Sequence, residues 1–429
     1  MEVRDASPGY VPQVDVPVVP EGYKQTEVGV IPEDWGSQQL REDVTLLSGH
    51  HVLAQHYNSK GKGVPYLTGP ADFPDGRIQN TKFTTRPSTI CRTGDVLVTV
   101  KGSGVGTLVE ADAEYCISRQ LMAIRATQWD PRFVYYSLLQ NGSKIKIASA
   151  GLIPGLSRSD ILDQHLPIPQ NPEEQRAIAT ALSDVDALLE ALDRLIAKKR
   201  DIKQATMQQL LTAQTRLPGF EGEWQVKQLG ELGGFLKGSG VRRNEAQSGN
   251  LPCVRYGEIY TVHHDLIREF QSWVSRDVAA TAVRIQKGDL LFAGSGETKD
   301  EIGKCVAVVT DKEAYAGGDI VILRASKANP FFMGYALNQP AVNLQKSSFG
   351  QGDAVVHISA TALSQIVIKL PLEAEQNAIA AVLSDMDVEL EALKQRRAKT
   401  AALKQAMMQE LLTGRTRLVE RTREEAFHG

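Results

Sequence analysis

Long apolar runs, paired cysteines and an excess of charge of one sign are all missing from this 429-residue chain. No apolar stretch approaches the roughly 20 residues that cross a bilayer, and Met1 is followed by charged and proline-rich sequence with no apolar signal core. A cytoplasmic protein is the expectation. Cys91, Cys116, Cys253 and Cys305 lie far apart inside apolar strand-like runs without a CxxC pair, which argues against a disulfide framework or a zinc site and marks them as reduced core residues. A formal net charge of −3 argues against the overall basicity of non-specific nucleic-acid binders, so a DNA surface has to be local or shared with a partner. Glycine and proline are also absent from one long segment, Glu174–Thr212. What is present, 42% apolar and 23% charged residues, is ordinary globular composition. The length calls for two or three domains, since one commonly holds about 100–200 residues.

The glycine- and proline-free segment is written twice. Lys203–Thr212 (KQATMQQLLT) returns as Lys404–Thr413 (KQAMMQELLT), and Gln175–Leu217 aligns without a gap on Gln376–Leu418 with 25 of 43 positions identical, the mark of a duplicated unit. Both copies are rich in Ala, Leu, Glu, Gln and Lys, the strongest helix formers, and each predicts a helix of about forty residues and roughly 60 Å. In the first, Ile178, Leu182, Val185, Leu189, Leu192 and Ile196 step by fours and threes along one seam. In the second, Ile379, Leu383, Met386, Leu390 and Leu393 follow the same seam until Arg397 interrupts it. A rod this long with one narrow seam suits a coiled coil better than the core of an ordinary domain. Pro172 fits the first turn of the earlier helix and Gly414 the left-handed position that ends the later one, whereas Ala213 leaves the first end less sharply set.

The stretches between the helices echo each other as well. Ile31–Leu40 (IPEDWGSQQL) and Leu217–Leu229 (LPGFEGEWQVKQL) both run from an apolar-Pro pair to a Trp five residues before a Leu. Gly94–Val98 answers Gly288–Phe292 as a turn feeding an apolar strand, and Ile124–Leu139 matches Leu323–Leu337. The expected order is globule, rod, globule, rod, with each globule an α+β unit of mixed twisted sheet and short helices. Boundaries are placed at 1–22 for a flexible Pro-rich leader, 23–170 and 216–372 for the globules, 171–215 and 373–416 for the helical segments, and 417–429 for a tail.

Motifs that suggest catalysis do not carry it. Lys101–Thr107 (KGSGVGT) and Ala293–Lys304 (AGSGETKDEIGK) lack the Gly-Lys-Ser/Thr opening a helix that a P-loop requires, and a dinucleotide turn also needs a helix behind it. Hairpin loops are the better reading, of a kind that lets backbone approach DNA closely. Asn329-Pro330-Phe331-Phe332 resembles the tetrad with which adenine methyltransferases hold a flipped base. Its repeat partner, however, is Asp130-Pro131-Arg132-Phe133, and what the two share is a helix cap and a first-turn proline. PhexGlyxGly does not occur. Asp184/Asp186 and Asp385/Asp387 are two apart on a helix and cannot share a face as an acid/base couple, so a solvated or partner-contacting surface is expected. His50, His51, His56, His263 and His264 have no ligand framework around them. Neither catalytic residues nor metal ligands are assigned.

Local basic and polar clusters in glycine- and serine-rich turns are the candidates for phosphate and base-edge contacts. They are Lys60, Lys62 and Lys101; Lys144, Lys146 and Arg158; Lys237, Arg242 and Arg243; Arg255 with Tyr256; and Lys346 with Ser347 and Gln351. Solvated loops are the plain alternative for each.

Two variable globules, each opening with an IPEDW-like segment and each closed by EQxAIAxxLSDxD…KQxxMQxLLT, resemble the specificity subunit of a type I restriction-modification system, from about Tyr23 to Leu418. The resemblance implies two target-recognition domains, each reading half of a bipartite sequence in double-stranded DNA. It also implies two long helices packed as an antiparallel coiled coil with pseudo-twofold symmetry. The helices would set the gap between half-sites and dock two methyltransferase subunits and, through them, two restriction subunits. The chain itself would be non-catalytic and bind no cofactor. S-adenosylmethionine would belong to the methyltransferase subunits, and ATP with magnesium to the restriction subunits. A stand-alone adenine methyltransferase and a coiled-coil scaffold that never meets DNA are the competing classes.

Overall fold

The computed structural model describes residues 19–102, 104–142, 155–352 and 354–419. The chain divides into two compact units, one comprising the residues up to Ala191 together with those from Arg397 onward, the other Leu192–Arg396. Both units are α+β.

In the first unit, a four-stranded antiparallel sheet runs Leu108–Glu110, Val96–Thr99, Leu121–Ala126, Val44–Ser48 in spatial order. A second, mixed sheet runs Tyr57–Asn58, Phe83–Thr84, Val64–Leu67, Tyr115–Ile117, Ile90–Cys91, its one parallel pairing joining 64–67 to 115–117. Val96–Thr99 is buried along its whole length, which is why Val96, Leu97 and Val98 read as an apolar run. Helix α1 (Pro131–Gln140) begins where Asp130 accepts from the amides of Arg132 and Phe133, as the cap reading requires. An antiparallel pair, Trp35–Gln39 with His165–Pro169, closes the globule and leads into the long helix α2 (Pro172–Leu211).

The second unit repeats this plan. Five strands run Gly233–Lys237, Ile320–Ala325, Asp289–Ala293, Cys305–Val308, Leu266–Ile267, and four run Ser272–Val274, Leu251–Val254, Ala314–Ala316, Val283–Ile285. Asn329 caps helix α3 (Pro330–Ala336) through the Phe332 amide, α4 (Pro340–Phe349) follows, and Gln225–Gln228 pairs with Val367–Leu370 before the long helix α5 (Glu373–Leu411). Both glycine-rich segments are hairpin loops, one between Val96–Thr99 and Leu108–Glu110 and the other between Asp289–Ala293 and Cys305–Val308. The two Gly-Asp turns place Asp95 and Asp289, each almost wholly buried, against Arg125 and Arg324 in two-point ion pairs of 2.7–2.9 Å. The four cysteines are free and buried, and burial pushes the thiols of Cys91, Cys253 and Cys305 up to about 12.

Each unit contains part of both long helices. In the first, Ile178, Ala179 and Leu182 near the start of α2 share a core with Met408 and Leu411 at the end of α5 and Leu412 just beyond it. In the second, Leu210 and Leu211 at the end of α2 share a core with Ile379, Ala380 and Leu383 near the start of α5. The helices are therefore antiparallel within each unit. The seam reading needs one correction, because these outer seam residues are also packed into globule cores with Trp35 and Phe133, or with Phe332 and Leu363. Leu192, Ile196 and Leu390 are buried, while Val185, Leu189, Met386 and Leu393 are half-buried.

The duplicated sequence forms a matched set of clasps. Gln175 accepts from the Asp130 amide and donates to the Pro169 carbonyl, both at 2.9 Å; Gln376 does the same with Asn329 and Pro371 at the same distances. Asp186 accepts from the Tyr136 hydroxyl and from Lys404 Nζ, both at 2.8 Å, and Asp387 accepts from Tyr335 at 2.5 Å and Lys203 at 2.6 Å. Each lysine also lies over its tyrosine ring, about 5 Å from the centroid. Arg417 pairs with Glu174 and Asp34 over the Trp35 ring, as Arg216 pairs with Glu375 over Trp224. In every case the cation comes from one long helix or the turn after it, and the Glu or Asp it shares with its counterpart set comes from the other long helix. This corrects the solvated reading of Asp186 and Asp387. Asp184 and Asp385, on the opposite face, are exposed.

Candidate nucleic-acid interface

The candidate contacts sit on turns that the sheets hold out. Asn58 Oδ1 accepts from the amides of Lys60 and Lys62, so this lysine loop is internally braced while both side chains are exposed. Gly61 and Gly63 supply its positive φ values of 74° and 96°. Exposed Lys101 bridges to Gly155, which brings the first glycine-rich hairpin beside the segment bearing Arg158. The Arg158 guanidinium donates to Ser48 Oγ and the Leu46 carbonyl at 2.9 and 3.0 Å, holding it against the edge of the four-stranded sheet. Lys144 and Lys146 lie outside the described residues.

In the second unit Lys237, Arg242 and Arg243 are exposed on the strand Gly233–Lys237 and the short turn that follows it. Arg255 pairs with Glu258 at 2.9 Å beside exposed Tyr256. Gln351 is exposed and Ser347 half-buried. Lys346 has to be withdrawn from this set. It is fully buried, its Nζ donates to the carbonyls of Gly303 and Leu337 at 2.9 Å each, and burial pushes its ammonium down to about 8. It braces the second glycine-rich hairpin from beneath. The helical spacing of Val342 and Lys346, one turn apart on α4, was the signal that could have found this.

A cleft of about 1460 Å³ in the second unit is lined by Lys203, Lys304 and Arg268 but equally by Asp265, Glu301 and Asp387. Burial raises Asp265 and lowers Lys304 from their ordinary values, and a lining of balanced sign does not suit a polyanion. Among the described residues no group of His, Cys, Asp and Glu is placed to hold a metal ion, and no helix is long and apolar enough to cross a membrane.

Comparison with known proteins follows the same twofold division. The family described as type I restriction modification DNA specificity domain matches residues 32–199 and again 221–400. The type I restriction enzyme MjaVIII specificity subunit of Methanocaldococcus jannaschii is 22% identical over 422 residues, 93% of this chain and 96% of that one. A second protein of that organism, named for the MjaX specificity subunit, is 30% identical over 202 residues, and the match spans only about half of it, 47%. Among solved structures, the S subunit of a type I restriction-modification system from M. genitalium superposes with a TM-score of 0.60 at 18% identity, covering 90% of this chain and 97% of that one.

Proposed function

The chain belongs to the type I restriction-modification DNA specificity family, and on that premise we propose that it is the sequence-reading subunit of such a complex in the cytoplasm. Each globule reads one half of a bipartite target in double-stranded DNA, and the antiparallel helices hold the two readers at a set separation. The helices also dock two methyltransferase subunits, and through them two restriction subunits. In this reading the chain performs no reaction of its own. The methyltransferase subunits hold S-adenosylmethionine, and the restriction subunits use ATP with magnesium.

The observation that carries the reading is the clasp set. Each globule is tied to both long helices at once by a Gln, a Tyr–Asp–Lys cluster and an Arg–Glu pair. A reader fixed to a stiff strut has its distance from a second reader set by strut length, which is what recognition of two separated half-sites needs. The basic side chains on braced turns of both globules fit phosphate and base-edge contacts. The test is to exchange residues 21–167 for the corresponding reader of another subunit, add a methyltransferase partner and map the modified bases. One half of the target is expected to change. Simultaneous change in both halves contradicts independent reading.

A further inference from the structure

Each unit holds a buried carboxylate just beyond the first strand of a parallel strand pair, and neither carboxylate belongs to the clasps. In the first unit, Val64–Leu67 runs parallel to Tyr115–Ile117 and is followed by Thr68. Asp72, 5% exposed, accepts from the Thr68 amide at 2.6 Å and the Thr68 hydroxyl at 2.8 Å, while Lys82 Nζ donates to the same hydroxyl at 3.0 Å. In the second unit, Leu251–Val254 runs parallel to Ala314–Ala316 and is followed by Arg255. Glu258, 3% exposed, accepts from the Arg255 amide and from Arg255 Nε at 2.9 Å, and also from the hydroxyl of Ser272.

Burying a carboxylate is costly unless its oxygens are engaged. A capping role explains one oxygen of Glu258, which meets the backbone amide at the start of a six-residue helical turn. It does not explain the other, which fixes a side chain. Pinned at Nε, Arg255 keeps its two terminal nitrogens without a protein partner among the described residues, with its side chain 31% exposed. It lies beside exposed Tyr256, and Trp273, 36% exposed, adjoins Ser272. A guanidinium so held presents a preset fork of donors, the geometry that pairs with O6 and N7 of guanine in the major groove. Fixing it in advance also reduces the side-chain freedom lost on binding.

We propose that the residue after this strand, Thr68 in one reader and Arg255 in the other, is a base-reading position, and that Asp72 and Glu258 are its positioning residues. Arg255 reads a guanine in the half-site of the second reader. The same carboxylate scaffold carries different side chains in the two readers, which gives the two half-sites different bases at this point. The proposal rests on the reading of the chain as the DNA-reading subunit.

The test uses the full chain with its methyltransferase partner and maps methylated sites for the unaltered protein, Arg255→Lys, Arg255→Ala and Glu258→Gln. The expected result is that one G·C pair in one half-site becomes permissive, with discrimination there falling about ten- to a hundredfold, while the other half is read as before. Glu258→Gln should relax the same base pair. Because Glu258 is buried and its replacement can loosen the fold, Arg255→Ala at the half-buried arginine itself decides the matter independently. An unchanged motif in Arg255→Ala, or relaxation spread over both halves, overturns the proposal. If the unaltered protein yields no two-part motif, the reading beneath it fails, and this inference falls with it.

Discussion

Ala213 adopts a φ of +59°, where the second copy of the repeat has Gly414 at +69°. The helices end within one residue of the same place in the repeat, at Leu211 and at Leu411, the counterpart of Leu210, and Ala213 takes the same left-handed turn as Gly414, so the expectation of a less definite first end was wrong. Packing at Leu210 and Leu211 holds the end in place and forces an alanine into the left-handed region, at a cost of about 1 kcal/mol. Ala213→Gly is therefore expected to raise stability by about 1 kcal/mol in urea unfolding. Gly414→Ala should lower it by more, because its Cβ would come within 2.4 Å of Pro32 Cγ. Lys346 gives a pH signature. Burial holds it at about 8 against an ordinary value of 10.5, so between those pH values the unfolded chain binds the extra proton and this group makes stability rise with pH. Unfolding free energies measured across that window should show the rise in the unaltered chain and lose it in Lys346→Met. The caps at Asp130 and Asn329 were legible in the sequence because their partners are two or three residues away. Lys346 was misread because its neighbours Ser347 and Gly350 look like a surface turn, while the burial comes from packing beneath the 294–304 hairpin.

At the scale of elements, what the repeat preserves is a set of long-range partners. The long helices could be read from composition and from the spacing of Ile178, Leu182 and Leu192. The reason for repeating Lys203, Asp186 and Gln175 could not, since each has a partner at least 45 positions away, and Asp186 one 218 away. The Lys203–Asp387 pair has side chains 14% and 27% exposed, whereas Lys199–Glu389 on the same two helices is 33% and 49% exposed. Solvent screens the second pair more. Double-mutant cycles followed by thermal melting should give a coupling on the order of 1 kcal/mol for Lys203–Asp387 and nearly none for Lys199–Glu389. Equal couplings would mean that the buried clasp is no more than another surface ion pair.

For the whole molecule, a formal net charge of −3 means that a DNA surface has to be local or shared with a partner. Division into globules and rods was legible from the repeat, but the sharing of each long helix between two compact units was not. That sharing arises because Ile178 and Leu182, or Ile379 and Leu383, serve helix pairing and a globule core together. The central claim is that helix length sets the distance between half-sites. Inserting one heptad into α2 after Ala191 and one into α5 after Arg396 keeps the seam in phase and lengthens each helix by about 10 Å. Mapping of methylated sites with the partner methyltransferase should then show both half-sites retained and the unread gap between them longer. An unchanged gap with normal methylation would contradict the account.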